Sequence, residues 1–334
     1  MTCCDTEENT AQVIKELRKA GLKAKDLGFP EYIIGIHVEQ DGQGNITMNQ
    51  KLYIETILAR FNMTDCVPSK TPADTKVSLC KAMGVSSKDK QDKMDCKPYR
   101  SLVGAVLYAV LTRPDIAVAV NELCKHMANP GPAMWTAAKR VLRYLKGTSN
   151  YGIKFQVTDK ALNLNVYVDS SYAECPDTRR SRCGWLIRMG NALVHWRTLM
   201  QKRNAQSTAE AEYRAATEAT KDVIWMRRLL REIGIPQEKP TIICEDNQAC
   251  KKMIENPVVS KRNKHVENDC HFVRDHHELG NIEVVMVSTR DQQADILTKN
   301  LPRPLFEHHV SNLMDTKGDR LESEGDCQDI ADYE

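Results

Sequence analysis

Long apolar runs are what this sequence most plainly lacks. No stretch approaches the roughly 20 residues that a membrane-spanning helix needs. The first ten residues, MTCCDTEENT, hold no apolar core of the kind a secretory signal carries. Aromatic residues are scarce, 6% of the chain against 28% charged. None of the twelve cysteines stands in a C-x-x-C pair, which argues against a zinc ribbon and a dithiol redox motif. With no secretory signal, free thiols in a reducing compartment are expected, placing the chain inside the cell, in cytoplasm or nucleus. No internal repeat is found. A membrane protein, a disulfide-stapled secreted scaffold and a collagen-like fibre are thereby excluded.

What is present is an ordinary globular composition. The chain has 334 residues, 41% of them hydrophobic, about two domains at roughly 150 residues each. The net charge of +2 is unevenly spread. Residues 315–334 carry eight acids against two bases, few apolar side chains, and the signature of an acidic disordered tail. The remaining body is mildly basic, which suits a polyanionic partner.

Hydrophobic spacing divides the chain further. Residues 9–20 read as a helix, 32–38 and 45–48 as strands around the turn Asp41-Gly42-Gln43-Gly44, and 52–61 as a helix. A polar, proline-bearing stretch from 68 to 97 reads as loop or linker. Apolar helices are expected at 102–111, 116–127 and 135–145, the first two broken at Arg113-Pro114 and the last closed by Gly147. From about residue 162 the pattern changes. Leu162, Leu164, Val166 and Val168 alternate with polar groups, as on a strand. Strands at 183–189 and 192–197, a long helix at 208–233, a strand at 241–245, helices at 247–255 and 264–277, a strand at 282–287 and a last helix at 291–299 complete an α/β order with a mixed sheet.

Four acids in this second half occupy telling places. Asp169 ends the first strand on the face opposite its aliphatic residues, Glu212 opens the long helix, Asp246 follows the strand 241–245, and Asp295 lies in the last helix. Carboxylates from separate elements meeting at one end of a sheet are what two-metal phosphoryl chemistry requires. Magnesium, a hard cation taking oxygen ligands, suits such a set. Singly, each acid also has a plainer reading. Asp246 is a helix N-cap, Asp169 a turn residue, and Glu212 and Asp295 are solvated helix acids.

Their spacing within longer motifs adds weight. Lys25-Asp26-Leu27-Gly28 leads to Ile34-Gly35-Ile36, and Lys97-Pro98-Tyr99-Arg100-Ser101-Leu102-Val103-Gly104 precedes Arg113-Pro114-Asp115-Ile116. Then follow the run from Ala138 to Thr148, Tyr167-Val168-Asp169-Ser170, Ser207-Thr208-Ala209-Glu210-Ala211-Glu212-Tyr213, Glu245-Asp246-Asn247-Gln248-Ala249 and Gln293-Ala294-Asp295-Ile296-Leu297-Thr298-Lys299. From about residue 10 to about 314 this ordered set resembles the C-terminal part of copia-type retrotransposon Pol polyproteins: the end of the reverse transcriptase, its connection and the ribonuclease H domain.

The resemblance implies an α/β fold with a ribonuclease H-like mixed five-stranded sheet and flanking helices. A truncated reverse-transcriptase palm and thumb, with a helical connection, would precede it. Residues 1–67 would be the palm remnant, 68–97 a linker, 98–150 the helical thumb and connection, and 160–314 the ribonuclease H-like domain. It implies Asp169, Glu212, Asp246 and Asp295 as both catalytic residues and metal ligands, two Mg²⁺ or Mn²⁺ ions, and hydrolysis of the RNA strand of RNA–DNA hybrids. A full-length reverse transcriptase is a further implied partner. A different class of reading is a non-catalytic relic, binding nucleic acid or serving a polymerase as a structural module. Two departures from the family stand out. Its polymerase turn, Tyr-x-Asp-Asp, occurs nowhere in this sequence, so polymerase activity is expected to be absent. The loop before the last helix, Ser288-Thr289-Arg290-Asp291, lacks the histidine that many ribonucleases H place there.

Binding a hybrid needs cations for phosphates and neutral donors for a 2′-hydroxyl. Candidates are Arg179, Arg180, Ser181 and Arg182, then Lys202, Arg203, Asn204, Gln206, Ser207, Asn247 and Gln248, and the run Lys261-Arg262-Asn263-Lys264, with Lys264 at its end. Lys139, Arg140, Arg143 and Lys146 either track the duplex or form the outer face of a packed helix. Glu210 and Glu212 need separating. The stripe Tyr213, Ala216, Ala219, Val223, Met226, Leu230 and Ile233 has Glu212 near its middle and Glu210 about 160–170° away, towards solvent. His265, Cys270 and His271 cannot alone close a zinc site and read as structural. Trp135, Trp185, Trp196 and Trp225 read as core or interface aromatics.

Overall fold

The computed structural model describes residues 7–25, 28–87, 92, 94–158, 162–256 and 271–316. The acidic tail beyond 316 and the run 261–264 lie outside the described residues, as do His265 and Cys270. Among the described residues no helix is long and apolar enough to cross a membrane.

Helix α1 spans Glu7–Lys19. A four-stranded antiparallel sheet follows, built from β1 (Tyr32–Ile33), β2 (Ile36–Gln40), β3 (Ile46–Asn49) and β4 (Gly152–Phe155). The expected single strand at 32–38 is thus broken in two. Ile34 and Gly35 both take positive φ, 51° and 73°, a turn that Gly35 adopts freely and Ile34 does not. The Tyr108 hydroxyl donates to the Ile34 carbonyl there. β3 finds its partner a hundred residues on, Ile46 opposite Phe155 and Asn49 opposite Gly152.

Between these strands lie α2 (Lys51–Arg60), α3 (Tyr99–Ala109), α4 (Ala117–Cys124) and α5 (Pro132–Gly147). They share a core through Ile54, Leu102, Val106, Val120, Leu142 and Leu145. The break before α4 is also a buried knot. Arg113 is fully buried and grips Asp115 bidentately, Nε to Oδ1 at 3.0 Å and Nη2 to Oδ2 at 2.7 Å. Its Nη1 donates to the Thr148 carbonyl at 2.7 Å, and the Tyr144 hydroxyl donates to Asp115 at 2.6 Å. Among its described residues the stretch 68–97 holds a short 3₁₀ turn at Lys81–Met83 and helical residues at 92, 94 and 95, and it is tied to α5. Arg140 bonds Thr71 and Asp74, and Arg143 donates to the Val67 carbonyl. Both arginines therefore serve packing rather than a free basic track.

The second sheet has five strands in the order β7-β6-β5-β8-β9. These are β5 (Leu164–Ser171), β6 (Arg182–Met189), β7 (Ala192–Met200), β8 (Thr241–Glu245) and β9 (Ile282–Met286). β5, β6 and β7 run antiparallel, whereas β5, β8 and β9 run parallel. This is the expected mixed α/β sheet. Helix α6 (Thr208–Glu232) covers one face and begins at Ser207, whose Oγ accepts the Glu210 N–H. Its Tyr213, Ala216, Ala219 and Val223 meet Val166, Val168, Trp185 and Ile243 in one core. Alanines at the contact let helix and sheet approach closely. Leu186, Leu193, Ile296 and Leu297 belong instead to the core of the α2–α5 helices. Helices α7 (Gln248–Glu255) and α8 (Phe272–Glu278) flank β8 and β9.

Two expectations need correction here. The last expected helix, 291–299, is two 3₁₀ turns, Thr289–Asp291 and Gln293–Leu297. Fully buried Gln292 pins the chain between them, donating to the Cys244 carbonyl and accepting the Ala294 N–H. The true final helix, α9 (Arg303–Leu313), follows with prolines at its entrance, where a missing N–H costs nothing. Trp225 is 60% exposed, so of its two readings, core or interface, the core one falls, while Trp185 is fully buried with Nε1 donating to Asp222 at 2.9 Å.

Candidate active site

The parallel pairing of β5 and β8 fixes where their chemistry sits. Tyr167 stands opposite Cys244, so Asp169 and Asp246, each two residues further on, reach the same edge of the sheet. Asp169 shares the Tyr167 face, opposite Leu164, Val166 and Val168, and β5 continues past it to Ser171. Helix α6 starts at this edge and brings Glu212. Oxygen atoms of Asp169, Glu212 and Asp246 lie within 4.8 Å of one another. Asp295, carried by the 3₁₀ turn after β9, hydrogen-bonds Asp169. The four acids that the sequence singled out are therefore brought together.

The site is largely buried, with more carboxylates than cations. Asp169, Glu212 and Asp295 are each 3% exposed. Burial, together with Asp169, Glu245 and Asp246, pushes the Glu212 carboxyl up to about 11. Burial and Asp169 push Asp295 up to about 7. Glu212 Oε2 is buried without a hydrogen-bond partner. The N-cap reading of Asp246 does not hold: Asn247 caps α7, accepting the Ala249 and Cys250 N–H groups at 2.9 and 3.1 Å.

Four residues at this edge were not singled out from sequence as site residues. Glu245 is fully buried, with Oε2 unpartnered, and burial lifts it to about 8. Its signal was available, since a glutamate falls on the Thr241 and Ile243 face that packs inward. Glu174 is raised to about 7 by burial and pairs with Arg182 Nε at 3.0 Å. Thr298 donates its hydroxyl to Asp169 Oδ2. Lys299 Nζ lies 2.8 Å from Asp295 Oδ1 and 3.7 Å from Asp169 Oδ2.

The nucleic-acid candidates separate into exposed and committed groups. Arg179 and Arg180 are exposed in the turn after β5, and Lys202, Asn204 and Gln206 are exposed in the loop before α6. The Gln201 N–H donates to the Ser181 carbonyl at 2.8 Å, joining the two loops at the edge that bears Asp169. Ser181 itself is fully buried, its Oγ accepting the Ala173 N–H at 3.0 Å, so it is a structural hydroxyl. Arg182 is also buried, held by Glu174, by Asn121 at 2.6 Å and by Glu122 of α4. Ser207 and Asn247 are helix caps. Lys264 lies outside the described residues. His271 meets the Tyr213 hydroxyl at 3.3 Å, in keeping with a structural role.

Relatives of known kind match most of the chain. It is 36% identical over 285 residues to the retrovirus-related Pol polyprotein from transposon TNT 1-94 of Nicotiana tabacum, covering 85% of this chain and 21% of that one. It is 37% identical over 277 residues to the Pol polyprotein from transposon RE2 of Arabidopsis thaliana, covering 83% of this chain and 18% of that one. The chain thus spans about a fifth of the length of these relatives. No protein-family model matches it. Among solved structures, an RNase H1 isolated from compost aligns with 41% of this chain and 93% of its own, at TM-score 0.33 and 16% identity. RNase H1 from Halobacterium salinarum aligns with 41% and 94%, at TM-score 0.28 and 15% identity.

Proposed function

This chain belongs to the copia-type Pol polyproteins of retrotransposons, and from that premise we propose that residues 160–314 are its ribonuclease H, cutting the RNA strand of RNA–DNA hybrids with divalent cations. Residues 1–67 and 98–150 would then correspond to part of the reverse-transcriptase palm and to its connection. One observation carries the reading: Asp169, Glu212 and Asp246, from three separate elements, meet at one edge of the sheet around a buried oxygen of Glu212 that no protein group hydrogen-bonds, and Asp295 joins them through a hydrogen bond to Asp169. A buried carboxylate among carboxylates is costly unless a cation joins it. Oxygen donors of this kind fit Mg²⁺ or Mn²⁺, two ions in the family's arrangement.

Bound there, divalent cations would supply an activated water and stabilise the leaving oxygen of an in-line displacement. The protein's own part is positional. Thr298 fixes Asp169 through its hydroxyl, and burial of Asp169, Glu212 and Asp295 keeps bulk water from them. Arg179, Arg180 and Lys202 offer charge to the backbone phosphates, and Asn204 and Gln206 offer neutral donors to a 2′-hydroxyl, which tells RNA from DNA. Cleavage of a labelled hybrid by the purified chain, with Mg²⁺ and with EDTA, tests the proposal. Mg²⁺-dependent cuts confined to the RNA strand support it, and an intact hybrid under both conditions refutes it.

A further inference from the structure

The four acids are not equivalent. Asp169, Glu212 and Asp246 close on one another, while Asp295 is engaged elsewhere, by the Lys299 ammonium at 2.8 Å. The same ammonium is 3.7 Å from Asp169 Oδ2, so it flanks both acids, which hydrogen-bond one another, on the side where they would share an ion. Its charge also reaches Glu174, Glu212 and Asp246. Arg182, the buried arginine at this edge, is committed to Glu122, Glu174 and Asn121.

Paired catalytic ions sit about 3.5–4 Å apart and share a carboxylate. An ammonium has three donors and no acceptor, so it satisfies Asp295 and Asp169 much as a cation would. It cannot share those oxygens with a divalent ion, because the two positive charges would nearly touch. Lys299 is 38% exposed, and its long stem leaves it a way out to solvent.

We propose that Lys299 is a built-in cation that fills the Asp169–Asp295 side of the site, so that the substrate-free protein takes a single divalent ion, at Asp169, Glu212 and Asp246. This rests on the cation-binding reading of the site given above. A second ion enters only when Lys299 is withdrawn or removed.

The test counts ions without substrate. Mn²⁺ is titrated into the full chain by calorimetry, with bound Mn²⁺ counted independently by electron paramagnetic resonance. Wild type should bind one ion, Lys299→Met two, and Lys299→Arg, which keeps the charge, one. Circular dichroism checks that the variants fold. Two ions on the wild-type protein overturn the proposal, as does a single ion on Lys299→Met at any affinity. No ion on either wild type or Lys299→Met would overturn the proposal together with the cation-binding reading, whereas an uncut hybrid with the expected ion counts would overturn the ribonuclease reading alone.

Discussion

Glu210 and Glu212 lie two residues apart on α6 and are equally buried, each 3% exposed, yet only Glu212 faces the other acids. Helix periodicity separates their directions, but it does not send Glu210 to solvent. Glu210 folds back on its own helix end, accepting the Gln206 N–H at 2.8 Å and pairing with Arg214 at 2.7 Å. Glu212→Gln should therefore abolish hybrid cleavage. In EDTA at pH 8 it should raise thermal stability, because a buried carboxylate among acids is removed. Glu210→Gln should keep most of the cleavage and lose about 1–3 kcal/mol of stability, the cost of leaving Arg214 unmatched. Equal loss of cleavage in both variants would refute the assignment.

The acid cluster should also make the metal-free protein sensitive to alkali. Burial raises Glu245 from 4.5 to about 8, Asp295 from 3.8 to about 7 and Glu174 from 4.5 to about 7. The folded state then holds protons that the unfolded chain has already released, so stability falls as pH rises through the folded values. Buried His309 acts on the other side: burial lowers it from 6.5 to about 4, so its contribution is complete above 6.5 and is lost as pH falls toward 4. Between pH 6.5 and 8 the raised carboxylates, Glu212 among them, pull stability down. In EDTA the unfolding midpoint should drop across this interval, and millimolar Mg²⁺ should flatten the drop by binding the ionised acids. A midpoint that rises in EDTA would contradict the buried cluster.

Arg113 gives a test away from the site. Removing one partner of its fully buried pair with Asp115 should cost about 3–5 kcal/mol, measured by urea unfolding of Arg113→Ala. Arg113→Lys should not restore it, because an ammonium cannot reach both Asp115 oxygens and Thr148 together. A lysine variant as stable as wild type would show that the fork geometry is unimportant.

The sequence exposed what depends on local period and concealed what depends on distant partners. Leu164, Val166 and Val168 alternate along β5, and the stripe from Tyr213 to Leu230 repeats every three or four residues, so both faces of the α6 core were legible. The placement of Asp246 followed from the end of β8, and the face of Asp169 from the alternation along β5, which runs on to Ser171. By contrast, β3 pairs with β4 across a hundred residues, and Gln292 is fixed by the Cys244 carbonyl 48 residues away. That long-range bond replaces the expected helix around Asp295 by a 3₁₀ turn. Lys299 belonged to a quoted motif, but nothing in its neighbours announced that its ammonium would flank Asp169 and Asp295. Ser181 and Arg182 read as a basic, polar surface, and Glu174 across the turn together with Glu122 of α4, remote in sequence, draws Arg182 inside.

No templated nucleotide addition is expected from these 334 residues, since no tyrosine among them opens a Tyr-x-Asp-Asp turn. Primer extension with deoxynucleotides by the purified chain measures this directly. Product longer than the primer would show that a polymerase centre has been overlooked.

The last prediction moves the site without touching an acid. Gly184 lies on β6 directly opposite Asp169, beneath the turn that carries Asp295. A Cβ built there would come within 2.7 Å of Leu297 Cβ, 2.7 Å of Thr298 Cγ2 and 2.9 Å of the Leu297 carbonyl carbon. Two of these atoms belong to the backbone or to a Cβ fixed to it, so no side-chain rotation relieves the clash. The turn itself must lift. Thr298 then loses its hydroxyl bond to Asp169, and Asp295 and Lys299 leave with it. Misplacement of a catalytic group by about 1 Å can cost on the order of a hundredfold in rate. Gly184→Ala should therefore lower hybrid cleavage by about tenfold or more, although every acid remains. Gly104 is the control: it lies in α3 with nothing within 4 Å of a built Cβ. Gly104→Ala should leave cleavage unchanged and add about 0.5–1 kcal/mol of stability. Wild-type cleavage by Gly184→Ala would mean that the turn bearing Asp295 need not rest on β6, and Asp295 would lose its place in the site.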